Sequence, residues 1–409
     1  MTKDNHSPAM MRRRQAIGAL AGFFAGSPLA RAQQDLPDAR ERIPALDDLV
    51  NVFEFEPVCK ARVLKSSYDY VAGGADGEWS LRHNREAFEK IVFRPRMLVN
   101  TSNLDLSTTL FGTKIDFPIL IAPTAGHGQL TPDGELATAR AAASMQTLMV
   151  LSTNSSQPYE KVAAASEFPK WFQLYAGPDM EGTWERVERA KSSGFEAIAL
   201  TVDGPYQPHR ERMLRNRIRT SVPPGVSAPQ MGRPARRQRE GEEAKAVSRP
   251  EQYGLTTTLI HQLDWGFFDE LKKRAGMPVL IKGILTAEDA ALAEKHGADG
   301  IVVSNHGARY LDYAPATIEV LAECVDAAGK MPVLVDGGFR RGSDVLKALA
   351  IGAKAVCVGR PYLWGLGAFG QPGVERVLEL LRIELKATMQ QCGVKNLAEI
   401  TPALVRRAT

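Results

Sequence analysis

The sequence predicts an α/β chain built around a (β/α)8 barrel, and three observations carry that prediction. Eight short, almost wholly apolar runs recur along the chain, as strands buried on both faces should. Helix-like stretches separate them, including Asp133–Met145, Glu181–Ser193, Ala287–His296 and Asp344–Leu349. Polar and charged residues gather just past the C-terminal end of each run, where barrels of this kind keep their chemistry. A doubly wound sheet satisfies the same alternation and is the structural alternative. With 409 residues the chain exceeds the roughly 250 that one barrel needs. Its 44% hydrophobic content is ample for a core. A net charge of +4 gives no reason to expect a nucleic-acid partner. Four cysteines form no C-x-x-C pair, so neither a zinc site nor a dithiol motif is readable, and no metal is expected.

The first thirty-two residues read as a leader. Arg12-Arg13-Arg14-Gln15 precedes the apolar run Ala16–Ala25, and Ala30-Arg31-Ala32 follows. That is the layout of an export signal cut after Ala32, with an apolar part too short to span a bilayer easily. Adjacent arginines before a weakly hydrophobic Gly/Ala-rich run resemble a twin-arginine signal, and an ordinary secretory signal is the alternative. The expected location is periplasmic or exported, with residues 33–409 as the folded part.

A helical prelude covers roughly residues 45–95, from the spacing of Leu46, Leu49, Val50 and Phe53. The eight strands are expected at Pro118–Ala122, Leu148–Ser152, Lys170–Leu174, Ala197–Val202, Pro278–Lys282, Gly300–Ser304, Pro332–Asp336 and Ala355–Val358. The connection after the fourth strand is out of scale. The loop at residues 220–256, with a Pro/Gly/Arg-rich tract from Ser221 to Pro250, reads as a mobile, solvated insertion, with a lid or a contact to an acidic partner or an anionic membrane surface as alternatives.

The most informative tip is the sixth, Ser304-Asn305-His306-Gly307-Ala308-Arg309-Tyr310-Leu311-Asp312. It sets a proton acceptor, His306, three residues before a cation, Arg309. An arginine holds a carboxylate by a two-pronged contact, and a histidine takes a proton near neutral pH. Together they suit oxidation of a carboxylate-bearing alcohol. The seventh and eighth tips, Asp336-Gly337-Gly338-Phe339-Arg340 and Gly359-Arg360, put glycines beside arginines at the usual phosphate site of this architecture. Ser152, Gln173, Thr201 and Ser304 are placed to bond a polar ring, and Lys282 to favour negative charge on it.

These segments resemble, in order, the motifs of the FMN-dependent L-2-hydroxy acid oxidase and dehydrogenase family. The resemblance runs from about residue 45 to 405 through YDYVAGGADGEWSL, IAPTA, WFQLY, ALTVD, IKGI, SNHGARYLD, VDGGFRRG and VGRP. It implies FMN as cofactor, His306 as catalytic base and Asp203 as the group stabilising its protonated form. It implies that Arg309 and Arg210 bind the substrate carboxylate and that Tyr70 and Tyr175 hydrogen-bond the substrate. Lys282 is implied at the flavin N1/O2 edge. Pro123, Thr124, Ala125, Ser152, Gln173, Thr201 and Ser304 are implied to line the flavin. Asp336, Gly337, Gly338, Phe339, Arg340, Gly359 and Arg360 are implied to hold ribityl and phosphate. A homo-oligomer is a further expectation from the family.

The chain departs from the commonest pattern at three places. Tyr310 replaces a glutamine, Asn154 replaces a large aromatic found in part of the family, and Gly126-His127 follow the first flavin loop. His127 is expected either to face the substrate or to lie on a surface loop. The expected reaction is oxidation of L-lactate or a larger L-2-hydroxy acid, with electrons leaving to a quinone, a cytochrome or O2. No C-x-x-C-H occurs, so no haem domain is visible. Another FMN-barrel enzyme, or a non-catalytic exported ligand-binding protein, are the rival readings.

Overall fold

The computed structural model describes residues 43–206, 208–219 and 263–408, so the expected export signal and the tract 220–256 lie outside the described residues. Eight parallel strands close on themselves: β1 (Ile119–Ile121), β2 (Met149–Ser152), β3 (Lys170–Leu174), β4 (Ile198–Thr201), β5 (Val279–Ile284), β6 (Gly300–Val303), β7 (Val333–Val335) and β8 (Ala355–Val358). Each pairs with its neighbours in sequence, and β8 closes on β1 with Val356 opposite Ile119 and Val358 opposite Ile121. The closure decides for the (β/α)8 barrel over a doubly wound sheet.

Strand side chains alternate between two buried layers. Ile119, Ile121, Met149, Leu151, Phe172, Leu174, Ile198 and Leu200 pack outward against the helices. Leu120, Val150, Trp171, Ala199, Leu280, Val302, Leu334 and Cys357 pack inward. Both faces are apolar, which is why the runs read as continuous rather than alternating. A hairpin, Thr108–Leu110 with Thr113–Ile115, adds Leu110 and Ile115 to the inner layer.

The helices begin where side chains cap them. Asp179 accepts from the N–H groups of Glu181 and Gly182, Asp264 from Phe267, and Thr286 from Asp289. The observed helices Glu135–Ser144, Met180–Ser192, Ala287–Lys295 and Gly342–Ile351 sit within two residues of the expected bounds. The prelude is helical at Phe55–Arg62, Lys65–Ala72 and Trp79–Glu86. Its following strand, Ile91–Phe93, pairs antiparallel with Val405–Arg407, tying the two ends of the described chain together. All four cysteines are buried free thiols, and Cys357 is a core residue as expected. Among the described residues no helix is long and apolar enough to cross a membrane, and no group of metal-ligating side chains is present.

Candidate active site

The inward phase of the barrel changes character at its C-terminal end. In six of the eight strands a polar residue comes two beyond the inward apolar side chain: Val150 then Ser152, Trp171 then Gln173, Ala199 then Thr201, Leu280 then Lys282, Val302 then Ser304, Leu334 then Asp336. Because side chains repeat every second residue, these six point to the same axis. All six are buried. They are joined by hydrogen bonds: Ser152 Oγ donates to Gln173 Oε1 (3.1 Å), and Gln173 Nε2 to Thr201 Oγ1 (3.0 Å). Lys282 Nζ donates to Ser304 Oγ (2.9 Å), and Ser304 Oγ to Asp336 Oδ1 (2.7 Å).

The turn after β6 is unusual backbone. His306, Gly307 and Ala308 all lie in the left-handed region, with φ of 57°, 60° and 60°. For His and Ala this costs about 1–2 kcal/mol each. The turn is held by Ala308 N–H to the Asn305 carbonyl (2.9 Å) and by His306 N–H to Ser304 Oγ (3.0 Å). The Arg360 guanidinium donates to the Gly307 carbonyl (2.9 Å), and a Cβ on Gly307 would lie 2.8 Å from that guanidinium. At the motif's end, Asp312 accepts from the N–H groups of Trp79 (3.2 Å) and Ser80 (2.8 Å). It thereby caps a prelude helix and pins that helix to the site.

The turn aims His306 between two partners. Its Nδ1 meets Asp203 Oδ1 at 2.8 Å, and its Nε2 meets the Tyr175 hydroxyl at 3.2 Å. Burial pushes the imidazole below its ordinary value, and the nearby Lys282 and Arg309 add to that, while Asp203 opposes it. Burial alone would raise the Asp203 carboxyl, yet the charges of His306 and Lys282 hold it below the usual range. Lys282 is likewise penalised by burial, but Asp336 (3.6 Å) and Asp203 (3.9 Å) hold it protonated. Asp203 Oδ2 is buried without a hydrogen-bond partner. Gly283 makes this closeness possible: at φ 115° it sits at a register shift in β5, and a Cβ there would lie 2.6 Å from Asp203 Cβ.

Two arginines share the cavity. Arg309 Nη1 donates to the carbonyls of Tyr70 (2.7 Å) and Gly73 (3.0 Å), and its guanidinium lies 5.0 Å from the Tyr70 ring centre. Arg210 donates to the Arg309 carbonyl (3.1 Å) and lies over Tyr310. Burial, then the charge of Arg210, pulls Arg309 down to about 9. Toward the seventh and eighth tips, burial lowers Arg340 to about 10 and Arg360 to about 9. Among the described residues none of these four guanidiniums reaches a carboxylate within ion-pair distance. A buried cation without an anion is costly, so the cavity is built to take up anionic groups.

The residues present therefore fit a phosphate-bearing flavin. Gly337 and Gly338 have φ of 101° and 80°, and Gly359 faces open space apart from Thr124 Cγ2 at 3.7 Å. The need for Gly338 also comes from within the protein, since a Cβ there would collide with the Asn84 carbonyl. Arg360 commits three N–H groups to the carbonyls of Val71, Gly307 and Gly73, each at 2.9 Å, which anchors the prelude over the mouth. Pro123, Thr124 and Ala125 form the turn at the first tip, with Thr124 Oγ1 bonded to His127 Nε2 (2.8 Å) and to the Tyr362 hydroxyl.

One expectation is overturned. His127 neither faces the substrate nor lies on the surface; it is 1% exposed beneath the first tip. Thr124, Thr138 (3.0 Å) and Tyr362 (3.3 Å) satisfy its ring, and Glu135 accepts its backbone N–H. The residue that sequence reasoning passed over is Tyr310, noted only as a departure, which packs against His306 and Arg210.

Comparison with known proteins agrees with this geometry. Residues 59–407 match the family model described as FMN-dependent dehydrogenase. The chain is 45% identical over 361 residues to glycolate oxidase 1 of Zea mays, covering 87% of this chain and 95% of that one. It is 44% identical over 359 residues to glycolate oxidase of Spinacia oleracea, again covering 87% and 95%. Among solved structures, a soluble mutant of the membrane-associated (S)-mandelate dehydrogenase from Pseudomonas putida superposes with a TM-score of 0.78. That pair shares 37% identity over 88% of this chain and 100% of the other. The flavin-binding domain of baker's yeast flavocytochrome b2 gives a TM-score of 0.79 at 32% identity, covering 92% and 90%. The chain belongs to the FMN-dependent dehydrogenase family and is an FMN-dependent oxidoreductase of 2-hydroxy acids.

Proposed function

We propose that the protein oxidises an L-2-hydroxy acid, L-lactate or a larger analogue, to the 2-oxo acid, with His306 as the base. The observation that carries this reading is the pairing of His306 with Asp203 in one cavity with the guanidiniums of Arg309 and Arg210, neither of which reaches a carboxylate among the described residues. Arg309 and Arg210 are the groups for the substrate carboxylate. His306 Nε2, kept neutral by burial, takes a proton from the substrate, and Asp203 stabilises the imidazolium that results. Tyr175, at 3.2 Å from Nε2, and Tyr70, stacked on Arg309, orient the substrate hydroxyl and carboxylate. Bound FMN supplies the two-electron acceptor, held by the strand-tip set named above, with Lys282 as the cation that favours charge on the ring.

Substrate size follows from the second tip, where Asn154 is a small polar residue whose N–H bonds Ser152 Oγ at 3.1 Å. A side chain smaller than the aromatic found there in part of the family favours a substrate larger than glycolate. The leader-like first thirty-two residues favour a respiratory acceptor, a quinone or cytochrome, over O2. The basic tract within 220–256 suits contact with an anionic membrane surface.

The test is anaerobic mixing of the purified yellow protein with glycolate, L-lactate and L-mandelate. Bleaching of the flavin by L-lactate or L-mandelate faster than by glycolate is expected. Failure of every L-2-hydroxy acid to bleach it would end this reading. Turnover in air with and without a soluble quinone then separates acceptors, with low peroxide yield and quinone stimulation expected.

A further inference from the structure

Tyr310 is half-buried in the cavity and packs against two of its working groups, with a third nearby. Its ring stands edge-on to His306, with centres 4.6 Å apart and planes at 71°. The Arg210 guanidinium lies over the same ring at 5.4 Å. Its hydroxyl lies near that of Tyr175, each phenol shifting the other's proton affinity. The far end of the ring is seated on Gly204, where a Cβ would lie 2.5 Å from Tyr310 Cζ and 2.8 and 2.9 Å from its neighbours. Any other residue at 204 would push the ring off its seat.

Counting hydrogens gives the contact a purpose. While His306 is neutral, Nδ1–H donates to Asp203, so Nε2 is an acceptor and takes the single hydrogen of the Tyr175 hydroxyl. Once Nε2 has received the substrate's proton it becomes a donor, and Tyr175 must accept from it. The Tyr175 hydrogen then needs another acceptor, and the Tyr310 hydroxyl lies near it.

We propose that Tyr310 is a positioning residue for the oxidation. Its ring, seated on Gly204, braces Arg210 for the substrate carboxylate, and its hydroxyl receives the Tyr175 hydrogen when His306 is protonated. The proposal rests on the functional reading above. No step here moves an electron or breaks a covalent bond beyond the proton transfer to His306 already described.

The test uses flavin-loaded protein and two readouts: oxalate affinity from the flavin difference spectrum, and the anaerobic rate of flavin reduction by an L-2-hydroxy acid across pH. Tyr310→Phe keeps the ring and removes the oxygen. It should leave oxalate affinity within about twofold, slow reduction about tenfold and move the acid limb of the rate to lower pH. Tyr310→Leu removes the ring as well and should weaken oxalate about tenfold. Gly204→Ala should weaken oxalate as Tyr310→Leu does, yet add less than about twofold when combined with it. Oxalate binding unchanged in Tyr310→Leu, or Gly204→Ala equally harmful in both backgrounds, would overturn the brace. Reduction and pH profile unchanged in Tyr310→Phe would overturn the hydroxyl's role, and that arm decides if Gly204→Ala fails to retain flavin. A wild-type protein that no L-2-hydroxy acid bleaches would sink the functional reading instead, which is a different result.

Discussion

Replacing Asp203 by Asn tests how much of the reaction depends on one buried charge. The side chains are nearly the same size, so the change removes charge with little repacking. His306 Nδ1 lies 2.8 Å from Asp203 Oδ1, and Lys282 Nζ lies 3.9 Å from Oδ2. When His306 gains a proton, its charge and that of Asp203 are centred about 4 Å apart. At an effective dielectric constant of 20 their attraction is about 4 kcal/mol. An asparagine oxygen still accepts from Nδ1–H, so part of the contact survives. Losing about 3–4 kcal/mol of it in the transition state slows proton transfer about 100- to 1000-fold. Oxalate affinity should barely change, because Arg309 and Arg210 are untouched. The sign of the pH effect is fixed as well: Asp203 raises the imidazole, so its removal lowers the base further and shifts the acid limb to lower pH. Rapid-mixing measurement of anaerobic flavin bleaching gives the rate, and a loss below about tenfold would refute the electrostatic account.

Three other outcomes are expected. The acid limb of kcat/KM for the wild type should fall below about 6.5, because burial holds the imidazole under its ordinary value and activity is lost as pH falls through that point; a limb well above it would show that another group controls. Arg309→Lys should weaken oxalate about 10- to 100-fold, since a point charge replaces a fork already anchored on the Tyr70 and Gly73 carbonyls; unchanged affinity in a titration would remove Arg309 from carboxylate binding. Gly338→Ala should lower stability by about 2–3 kcal/mol, because φ is 80° and the added methyl meets the Asn84 carbonyl; thermal unfolding of flavin-loaded protein at the wild-type temperature would contradict it.

The barrel was legible because both strand faces are apolar, so each strand stands out as an unbroken run, and because polarity appears two residues past the last inward apolar side chain. That step marks a strand tip without any knowledge of pairing. What stayed unread depends on contacts between distant segments. Asp312 caps a helix 232 residues away through Ser80, and nothing local to Leu311-Asp312 announces it. The strand Ile91–Phe93 is only three residues long and finds its partner at the other end of the chain. His127 carried no periodic signal for burial; its fate was decided by Thr124, Thr138 and Tyr362, which satisfy both ring nitrogens. Tyr310 was visible as a residue out of pattern, but its seat on Gly204 needs two loops brought together.

Charge at the mouth of the barrel explains why these pieces act as one site. Lys282 is balanced by Asp203 and Asp336, whereas Arg210, Arg309, Arg340 and Arg360 face carbonyls and aromatic rings rather than carboxylates. Carbonyls satisfy N–H groups without cancelling charge, so the cavity keeps a positive potential that no carboxylate among the described residues neutralises by an ion pair to these arginines. The same potential pushes His306 toward its neutral form, since Lys282 and Arg309 both oppose its protonation. A carboxylate entering beside Arg309 offsets that opposition and makes the imidazole a stronger base. On the proposed mechanism, binding of the acid thus prepares the histidine for deprotonating it, and an alcohol without a carboxylate gains neither the anchor nor the base.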